Sequence, residues 1–349
     1  MAGKHVVRFE PVGIEIEVDE EQTVLRAAFE QGIMLMHGCK EGQCSSCKSF
    51  LLEGDDVELD KYSTFALPDF EREEGFTLLC RAHVYEDVTI ELLNYDEEMI
   101  RSGLPIQEAV AEVVANDPVT HDMRHLVLRL VDDVELKFFP GQYVDITVPG
   151  TDEVRSFSMA NTSARESRQL EFIIKVYPDG LFSGYLDTEL KVGDRLELTG
   201  PFGVFTLRDA PDTDLIFVGG GAGMAPILCL LRSMAERGIR RRCVYYYGAR
   251  RRGDLCFESE LRALEQALPD FRYVPALSED EWEGETGLIT NVVARRESGL
   301  ARAHAYVCGP PPMVEAAVPL LTRLGVPEKH VYFDKFTTTG DPEKAPPAP

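Results

Sequence analysis

The sequence predicts three domains: a small α+β domain, an antiparallel β-barrel and a doubly wound α/β domain. The chain has 349 residues, 44% of them hydrophobic, and this length exceeds what one core usually fills. Short strands separated by turns run from residue 110 to residue 199, and strands alternate with helices from residue 214 onward. The expected boundaries are 1–98, 105–209 and 210–338, with a disordered tail rich in proline and alanine at 339–349.

The composition is strongly acidic, with a formal net charge of −24. Such a surface excludes nucleic acid and anionic membranes as expected partners. Residues 1–100 hold 23 acidic and 8 basic side chains, which is typical of simple solvation or of steering toward a basic patch on a partner. Met1–Phe9 lacks the features of an export signal, so we expect a cytoplasmic protein. We also expect the isolated protein to be a monomer. The apolar run Leu215–Leu231 contains four glycines and Pro226, which predicts strand, turn and helix instead of a membrane span.

The first domain opens with a predicted hairpin, because apolar and polar residues alternate over Val6–Phe9 and again over Ile14–Val18. Thr23 is positioned to cap a helix that Gly32 ends. Two further strands, Ser49–Leu52 and Val88–Leu92, complete a small sheet around that helix.

Four cysteines carry the most specific signal in this domain. Cys39, Cys44 and Cys47 form a C-x4-C-x2-C motif, and Cys80 follows at a distance. This is the ligand spacing of plant-type 2Fe–2S clusters, in which each iron takes two thiolates. A structural zinc site or disulfides are the alternatives, but zinc usually takes two separated C-x2-C pairs. The spacing therefore predicts an iron–sulfur cluster.

The second domain is predicted as a barrel of short strands. These are Val110–Val114, His125–Leu130, Gln142–Val148, Leu170–Val176 and Arg195–Thr199. Between them lies Arg155-Ser156-Phe157-Ser158, where a guanidinium beside hydroxyls suits a pyrophosphate and Phe157 could lie against a flat ring. Alone, an arginine between two serines is more often part of a loop.

The third domain begins with strand Asp214–Val218, a glycine-rich turn Gly219–Pro226 and a helix Ile227–Arg237. Backbone N–H groups in such a turn can approach a phosphate, although this is not the G-x-G-x-x-G fingerprint. The strand and helix alternation that follows predicts a doubly wound parallel sheet, whose ligands bind at the carboxyl ends of its strands.

Two residues at predicted strand ends are candidates for contact with a dinucleotide. Cys308 could contact a nicotinamide ring, although an isolated cysteine is more often a small buried hydrophobe. Arg250 could meet the adenosine end, although a solvated arginine is equally consistent with the sequence.

Together these motifs resemble the reductase components of soluble multicomponent monooxygenases, over the whole chain except the tail. The likeness to the propane and alkane group rests on Val7–Val12, Leu35–Gly42 and Tyr62–Ala66. The resemblance implies a β-grasp ferredoxin domain, an FAD-binding barrel and an NAD-binding domain. NADH gives up two electrons as a hydride and a cluster accepts one at a time, so a flavin is expected between them.

Carried over by position, the resemblance implies a role for each motif. Cys39, Cys44, Cys47 and Cys80 would ligate the cluster, Arg155, Ser156, Phe157 and Ser158 would bind FAD with Ser158 near flavin N5, and Gly180, Leu181, Phe182 and Ser183 would hold the FAD pyrophosphate. Gly220, Gly221, Ala222, Gly223, Met224, Ala225 and Pro226 would lie under the NADH pyrophosphate, Cys308, Gly309 and Pro310 beside the nicotinamide, and Phe336 near the flavin face. Ser158, Cys308 and Phe336 are thus the expected catalytic residues.

The resemblance leaves three matters open. Phe157 stands where the family often has tyrosine, and the run Arg250-Arg251-Arg252 could neutralise a 2′-phosphate, so NADPH remains an alternative to NADH. The expected electron acceptor is a di-iron hydroxylase, with a Rieske-type aromatic dioxygenase as the alternative. A redox-sensing binding module is an alternative of another class, which steady turnover would exclude.

Overall fold

The computed structural model describes residues 3–97, 100, 104, 106–131, 134–177 and 179–337. The chain forms two compact units. Unit 1 is Met1–Gln107 together with Gly200–Val204, and unit 2 is Glu108–Thr199 together with Phe205–Pro349. The predicted disordered tail lies outside the described residues, so that prediction stays open.

Unit 1 contains a mixed sheet that packs against helix α1. Its elements are β1 (Lys4–Glu10), β2 (Ile14–Asp19), α1 (Val24–Glu30), β3 (Lys48–Glu53), β4 (Val57–Leu59), α2 (Asp69–Glu73), β5 (Phe76–Leu78), β6 (Ala82–Val84) and β7 (Val88–Leu92). The five-stranded sheet has the order β2-β1-β7-β3-β5, with β1 parallel to β7, and β4 pairs with β6 apart from it. A parallel pair formed by the first and last strands, with a helix packed across it, matches the expected β-grasp domain.

Local sequence explains why these elements form. Val7, Phe9, Ile16 and Val18 are buried while their neighbours face outward, as the alternation predicts. The Thr23 hydroxyl accepts a hydrogen bond from the Arg26 N–H at 3.3 Å, which confirms the predicted helix cap.

The first half of unit 2 is an antiparallel barrel. Its elements are β8 (Gln107–Thr120), β9 (Met123–Leu130), β10 (Tyr143–Thr147), β11 (Val154–Ser158), β12 (Gln169–Lys175), α3 (Leu181–Thr188) and β13 (Arg195–Phe202). The sheet order is β11-β10-β13-β8-β9-β12, and an antiparallel bridge between Met159 and Phe172 links its two edges, so the sheet closes on itself.

The segment Arg155–Ser158 is a strand and not the loop that the bare motif favours. It pairs with β10, so that Arg155 lies opposite Ile146 and Ser158 lies opposite Tyr143. The pairing partner decides this conformation, because Arg-Ser-Phe-Ser has little strand preference of its own.

The second half of unit 2 is the doubly wound domain. Its elements are β14 (Asp214–Gly220), α4 (Met224–Arg237), β15 (Cys243–Ala249), α5 (Glu258–Ala267), β16 (Phe271–Leu277), β17 (Glu285–Thr286), α6 (Ile289–Arg296), β18 (Ala303–Gly309), α7 (Pro311–Arg323) and β19 (Val331–Lys335). All pairings along the order β17-β16-β15-β14-β18-β19 are parallel. Leu215 and Phe217 point into one core and Ile216 and Val218 into another, so helices cover both faces of the sheet.

Within the described part of the chain, no helix combines the length and the apolar character that crossing a membrane requires.

Candidate cofactor sites

The cysteine loop of unit 1 is shaped by backbone conformations that only a few residues adopt easily. Lys40 and Ser45 have φ of 58°, and Gly42 has φ of 71°. These left-handed residues curl the loop, and it is held to the next segment by hydrogen bonds from Ser63 N–H to Gly42 O and from Ser45 Oγ to Ala66 O, both at 3.0 Å. A Cβ at Gly38 would lie 2.9 Å from the sulfur of Cys44, so the loop needs glycine there.

The loop directs backbone N–H groups at its sulfurs. Cys39 Sγ accepts from Glu41 N–H at 3.4 Å and from Gln43 N–H at 3.2 Å, and Cys44 Sγ accepts from Cys39 N–H at 3.3 Å. Such donors stabilise sulfur that carries negative charge, which is the state of a metal-bound thiolate.

The four thiols are also close enough to perturb one another. The hydrogen bond with Cys39 lowers the pKa of Cys44 to about 6, whereas the same bond and burial raise the pKa of Cys39 well above its usual value. The hydrogen bond with Cys80 and burial likewise raise the pKa of Cys47. Crowded thiols cannot all ionise together, and cations bound between them would relieve this repulsion. The residues present therefore fit a cluster.

His37 is a feature of this loop that the sequence analysis did not single out. The ring is fully buried, its Nδ1 lies 2.7 Å from Leu35 O, and its Nε2 accepts a hydrogen bond from Gly203 N–H at 2.7 Å. Because Nε2 accepts, the proton belongs on Nδ1, and burial lowers the pKa of His37 to about 3. A lone histidine before a cysteine gives no sequence signal for this contact, since its partner lies 166 residues away.

The predicted flavin strand, β11, pairs its polar side chains with nearby carboxylates and packs on α3 through an aromatic residue. Arg155 Nη1 donates to Glu153 Oε2 at 2.9 Å and to Val154 O at 2.7 Å, and Ser156 Oγ donates to Asp145 Oδ1 at 2.6 Å. The ring of Phe157 lies 4.9 Å from that of Phe182, centroid to centroid. Ser158, at the end of the strand, is buried.

The segment Gly180–Ser183 forms the first turn of α3, and its amides have no side-chain cap among the described residues. Ser183 Oγ accepts from Tyr177 N–H at 3.0 Å and so ties the turn to the preceding loop. A Cβ at Gly180 would lie 2.2 Å from that oxygen. Backbone amides at such a helix start form a site that fits the oxygens of a pyrophosphate.

The glycine turn after β14 is pressed against the end of β18. Gly221–Gly223 forms a 3-10 turn, and a Cβ on Gly223 would lie 2.1 Å from the carbonyl oxygen of Cys308. Gly309 adopts a φ of 149° and meets Gly220 in the same way, with a Cβ distance of 2.8 Å to Gly220 O. The turn and Cys308–Pro310 therefore form one surface at the carboxyl edge of the sheet, where a dinucleotide fits.

Cys308 and Phe336 meet at this edge. Phe336 N–H donates to Gly309 O at 2.9 Å, which fixes the aromatic residue beside the strand end. The Cys308 side chain is fully buried, and burial raises the pKa of its thiol well above the usual value. The thiol is therefore neutral and packs as an apolar group.

The arginine run at the end of β15 is paired with carboxylates. Arg250 contacts Asp122 at 2.8 Å and Asp254 at 3.5 Å, Arg251 contacts Glu279 at 3.0 Å and Arg252 contacts Glu283 at 3.1 Å. Asp122, Glu279 and Glu283 lie far from the run in sequence, and Asp254 lies on a short turn that was not predicted. The sequence therefore carries no signal for these pairs. Their charges offset the basic run.

The sequence matches three protein families, each over one part of the chain. Residues 7–85 match the 2Fe-2S iron-sulfur cluster binding domain, residues 110–207 the oxidoreductase FAD-binding domain, and residues 217–318 the oxidoreductase NAD-binding domain. The chain is 49% identical to the reductase component of propane 2-monooxygenase from Mycolicibacterium goodii, over 97% of this chain and 99% of that protein. The chain belongs to the family of monooxygenase reductase components.

Other relatives are more distant. The reductase component DmpP of phenol 2-monooxygenase from Pseudomonas sp. strain CF600 is 35% identical over 96% of this chain and 95% of that protein. The crystal structure of Amycolatopsis cytochrome P450 reductase GcoB has a TM-score of 0.80 and 29% identity, covering 95% of this chain and 98% of that one. A ferredoxin reductase in carbazole 1,9a-dioxygenase has a TM-score of 0.72 and 30% identity, covering 97% and 99%.

These findings confirm the predicted class. The reductase is an NADH-dependent flavoprotein that uses FAD and a 2Fe–2S cluster and passes electrons to an oxygenase partner.

Proposed function

We propose that this reductase supplies electrons from NADH to the di-iron hydroxylase of a soluble monooxygenase that oxidises propane or a similar small hydrocarbon. The observation that carries this is the 49% identity, over nearly the full length of both chains, to the reductase component of propane 2-monooxygenase. The protein would work in the cytoplasm as a monomer, and its eight free cysteines fit a reducing compartment.

A second candidate acceptor is a Rieske-type dioxygenase. The toluate 1,2-dioxygenase electron transfer component is 30% identical over 93% of this chain, so related reductases serve that class as well. The lower identity makes this the weaker candidate.

Reconstitution decides between the two acceptors. The purified reductase should support propane oxidation with a purified di-iron propane hydroxylase, with NADH consumed in proportion to product. It should give little product with a Rieske oxygenase under the same conditions. The reverse ranking would contradict the proposed acceptor but not the electron-transfer chemistry.

Within this function we assign each cofactor to its residues. Cys39, Cys44, Cys47 and Cys80 hold the cluster, and Arg155–Ser158 with Gly180–Ser183 hold FAD. Gly220–Pro226 and Cys308–Pro310 hold NADH, with Arg250 toward its adenosine end. When bound, the flavin takes up the two electrons of a hydride together and releases them singly.

The protein groups act by binding and orientation. The Arg155 guanidinium offsets phosphate charge, and the amides at the start of α3 donate to phosphate oxygens. Ser158 would donate its hydroxyl hydrogen toward flavin N5, where charge develops. Gly309 would lie beside the nicotinamide with the buried Cys308 side chain packed behind it, and Phe336, held by its bond to Gly309 O, would lie near the flavin face and help to exclude water.

The division of labour between flavin and cluster can be tested with Cys44→Ser. Serine is a poor ligand for a cluster iron, so the variant should lose NADH-driven reduction of cytochrome c while it keeps reduction of a two-electron dye. Both rates are measured by absorbance on the purified protein. Cys243→Ala, a buried cysteine at the start of β15, serves as the control and should keep both activities. Loss of both activities in Cys44→Ser would refute the assignment.

A further inference from the structure

The strand that carries the predicted flavin motif continues into three residues that are bonded to helix α4. Ala160 O accepts from Arg232 Nη1 at 2.9 Å, and Asn161 O accepts from Cys229 Sγ at 2.8 Å. Thr162 Oγ1 lies 2.8 and 2.7 Å from the two carboxylate oxygens of Glu236 and donates to that carboxylate. We call these six residues the latch.

The helix side of the latch is a single face. Positions 229, 232 and 236 are spaced by three and four residues, which places them along one side of an α-helix. The strand side is equally regular, because 160, 161 and 162 are consecutive and begin two residues after Ser158. Three bonds between one helix face and one short segment resist both sliding and rotation of the helix.

Arg232 is the centre of the latch. Besides Ala160 O it contacts Glu171 of β12 at 3.0 Å and Glu260 of α5 at 2.6 and 2.9 Å. The planar guanidinium thus joins a barrel strand, a barrel carbonyl and a neighbouring helix at once, which a lysine ammonium cannot reproduce. The side chain is about one-fifth exposed, so these bonds are largely shielded from water.

The other two bonds are buried. Cys229 is fully inaccessible and packs into the core of the barrel, although it belongs to a helix of the neighbouring domain. Thr162 is 4% exposed. A buried hydroxyl or thiol that keeps its partner is costly to misplace, so the latch has a defined geometry.

The position of α4 matters because its first turn is the predicted dinucleotide cradle. Gly221–Gly223 leads directly into Met224, and Cys229 lies five residues, about 7.5 Å, further along the helix axis. A shift of the helix by 1 Å would move the cradle by the same amount relative to Ser158. Hydride transfer is sensitive to displacements of that size.

We propose that the latch is a positioning device, with Arg232 as its principal positioning residue, that fixes the nicotinamide cradle against the flavin strand. This inference rests on the proposed roles of Gly220–Pro226 and Ser158. It predicts that loosening the latch slows flavin reduction by NADH far more than it weakens dinucleotide binding.

The test uses two pairs of variants of the FAD-loaded protein. Arg232→Lys is compared with its control Arg262→Lys, and Thr162→Val is compared with Thr162→Ser. Arg232→Lys keeps the charge and loses the planar fork. Thr162→Val keeps the shape and loses the hydroxyl, and Thr162→Ser restores it. Arg262→Lys is the matched control, since Arg262 pairs with Glu265 at 2.7 Å and packs on Tyr273 within the NAD-binding domain without touching the barrel.

Three quantities are measured. The first is the rate of flavin bleaching by excess NADH in a stopped-flow instrument, the second is the dissociation constant of NAD⁺ by titration, and the third is amide hydrogen exchange over residues 219–230. Arg232→Lys and Thr162→Val should slow bleaching about tenfold or more, in line with a sub-ångström to 1 Å misplacement, while affinity changes by less than about threefold. Exchange over 219–230 should quicken in both. Thr162→Ser and Arg262→Lys should behave as the unaltered protein.

The outcomes separate cleanly. Unchanged bleaching rates in Arg232→Lys and Thr162→Val, even with a lowered melting temperature, would overturn the latch as a positioning device. Equal slowing in Thr162→Ser or Arg262→Lys would overturn it too, because the effect would then be general. If Arg232→Lys fails to fold, the Thr162 pair decides. Failure of the unaltered protein to be bleached by NADH would instead contradict the proposed function.

Discussion

At the scale of single residues, one of the tightest constraints in unit 2 is the contact between Gly223 and the Cys308 carbonyl, where an added Cβ would lie 2.1 Å from the oxygen. The atom that would clash with an added Cβ belongs to the backbone of a central parallel strand, which cannot turn aside as a side chain can. This close approach, and not the conformation of Gly223 itself, explains why the turn requires glycine at that position.

We predict that Gly223→Ala weakens NADH binding at least tenfold and lowers the free energy of unfolding by about 1–3 kcal/mol, since overpacking must push the turn away from β18. Titration with NAD⁺ and urea unfolding measure the two effects. Gly253→Ala is the control because nothing lies within 4 Å of an added Cβ there. Wild-type affinity in Gly223→Ala would show that the turn does not form the cradle.

His37 shows how a single side chain can be constrained without carrying chemistry. With its two ring nitrogens bonded to Leu35 O and to Gly203 N–H, the ring is held in one orientation and one tautomer. It contacts Phe29 edge-on, with centroids 4.6 Å apart. The residues immediately before the cysteine loop are therefore fixed by the interior of unit 1.

At the scale of elements, neighbouring acidic side chains offset the positive charge of the arginine run after β15. The basic run alone suggests a 2′-phosphate site, whereas Glu279, on the loop after β16, pairs with Arg251, and Asp280 accepts from Arg252 N–H at 2.8 Å. Carboxylates at this edge oppose a phosphate and can accept from ribose hydroxyls. Under the proposed placement of the adenosine end, these carboxylates favour NADH over NADPH.

We predict that Glu279→Gln raises the ratio of kcat/KM for NADPH over NADH by about fivefold, because it frees the Arg251 charge, an effect on the order of 1 kcal/mol. Steady-state dye reduction with each dinucleotide gives the ratio. Glu285→Gln removes an acid that pairs with Arg295 and Arg296 elsewhere in the domain and should leave the ratio unchanged. A ratio that does not move in Glu279→Gln would place the adenosine end elsewhere.

Elements with a strong local signal were predicted well from the sequence. The structure has strand β7 at Val88–Leu92, as predicted, because its apolar and polar residues alternate. Helix α4 begins at Met224, three residues before the predicted start, since the glycine turn hides the first helical residues. Strands β17 and β19 were not predicted; each is an edge strand that exists through its pairing with a neighbour.

The candidate sites show the same difference between local sequence patterns and contacts of distant residues. The cluster ligands were predicted because Cys39, Cys44 and Cys47 form a local pattern, and the structure brings them and the distant Cys80 within interaction range. Their role as ligands stays a prediction. The contacts of Arg232 join residues 28 to 72 positions apart, and those of Arg250 reach Asp122 across 128 positions. No window of sequence contains such pairs, so only the folded chain reveals them.

At the scale of the whole molecule, acid stability reflects groups with shifted pKa values in unit 2. Burial lowers the pKa of His304 from 6.5 to about 4, and its ring stacks on His330 at 4.3 Å. The neighbouring His125 and the Arg232 guanidinium lower the pKa of Glu171 from 4.5 to about 2. Both groups bind fewer protons in the folded state, so acid favours unfolding through each of them in turn.

We predict that the free energy of unfolding falls as pH drops below about 6.5 through His304 and the buried His37, and falls further from about 4.5 to about 2 through Glu171. Urea unfolding at a series of pH values measures the profile. His304→Phe keeps an aromatic ring against His330 but cannot be protonated, so it should reduce the slope of the upper part of the profile and leave the part due to His37. An unaltered slope between pH 6.5 and 4.5 in that variant would rule out His304 as its source.

The membership of Gly200–Val204 in unit 1 bears on how this enzyme can be dissected. Val204 packs with Met34 and Met36, Phe202 with Phe29, and Lys40 lies 3.6 Å above the Phe202 ring. A fragment that ends near residue 104 would therefore lack Gly200–Val204, five residues that pack into the interior of the iron–sulfur domain. Such fragments should aggregate and be sensitive to oxygen. A circularly permuted protein, or co-expression of the fragment with the missing peptide, is the better starting point for spectroscopy.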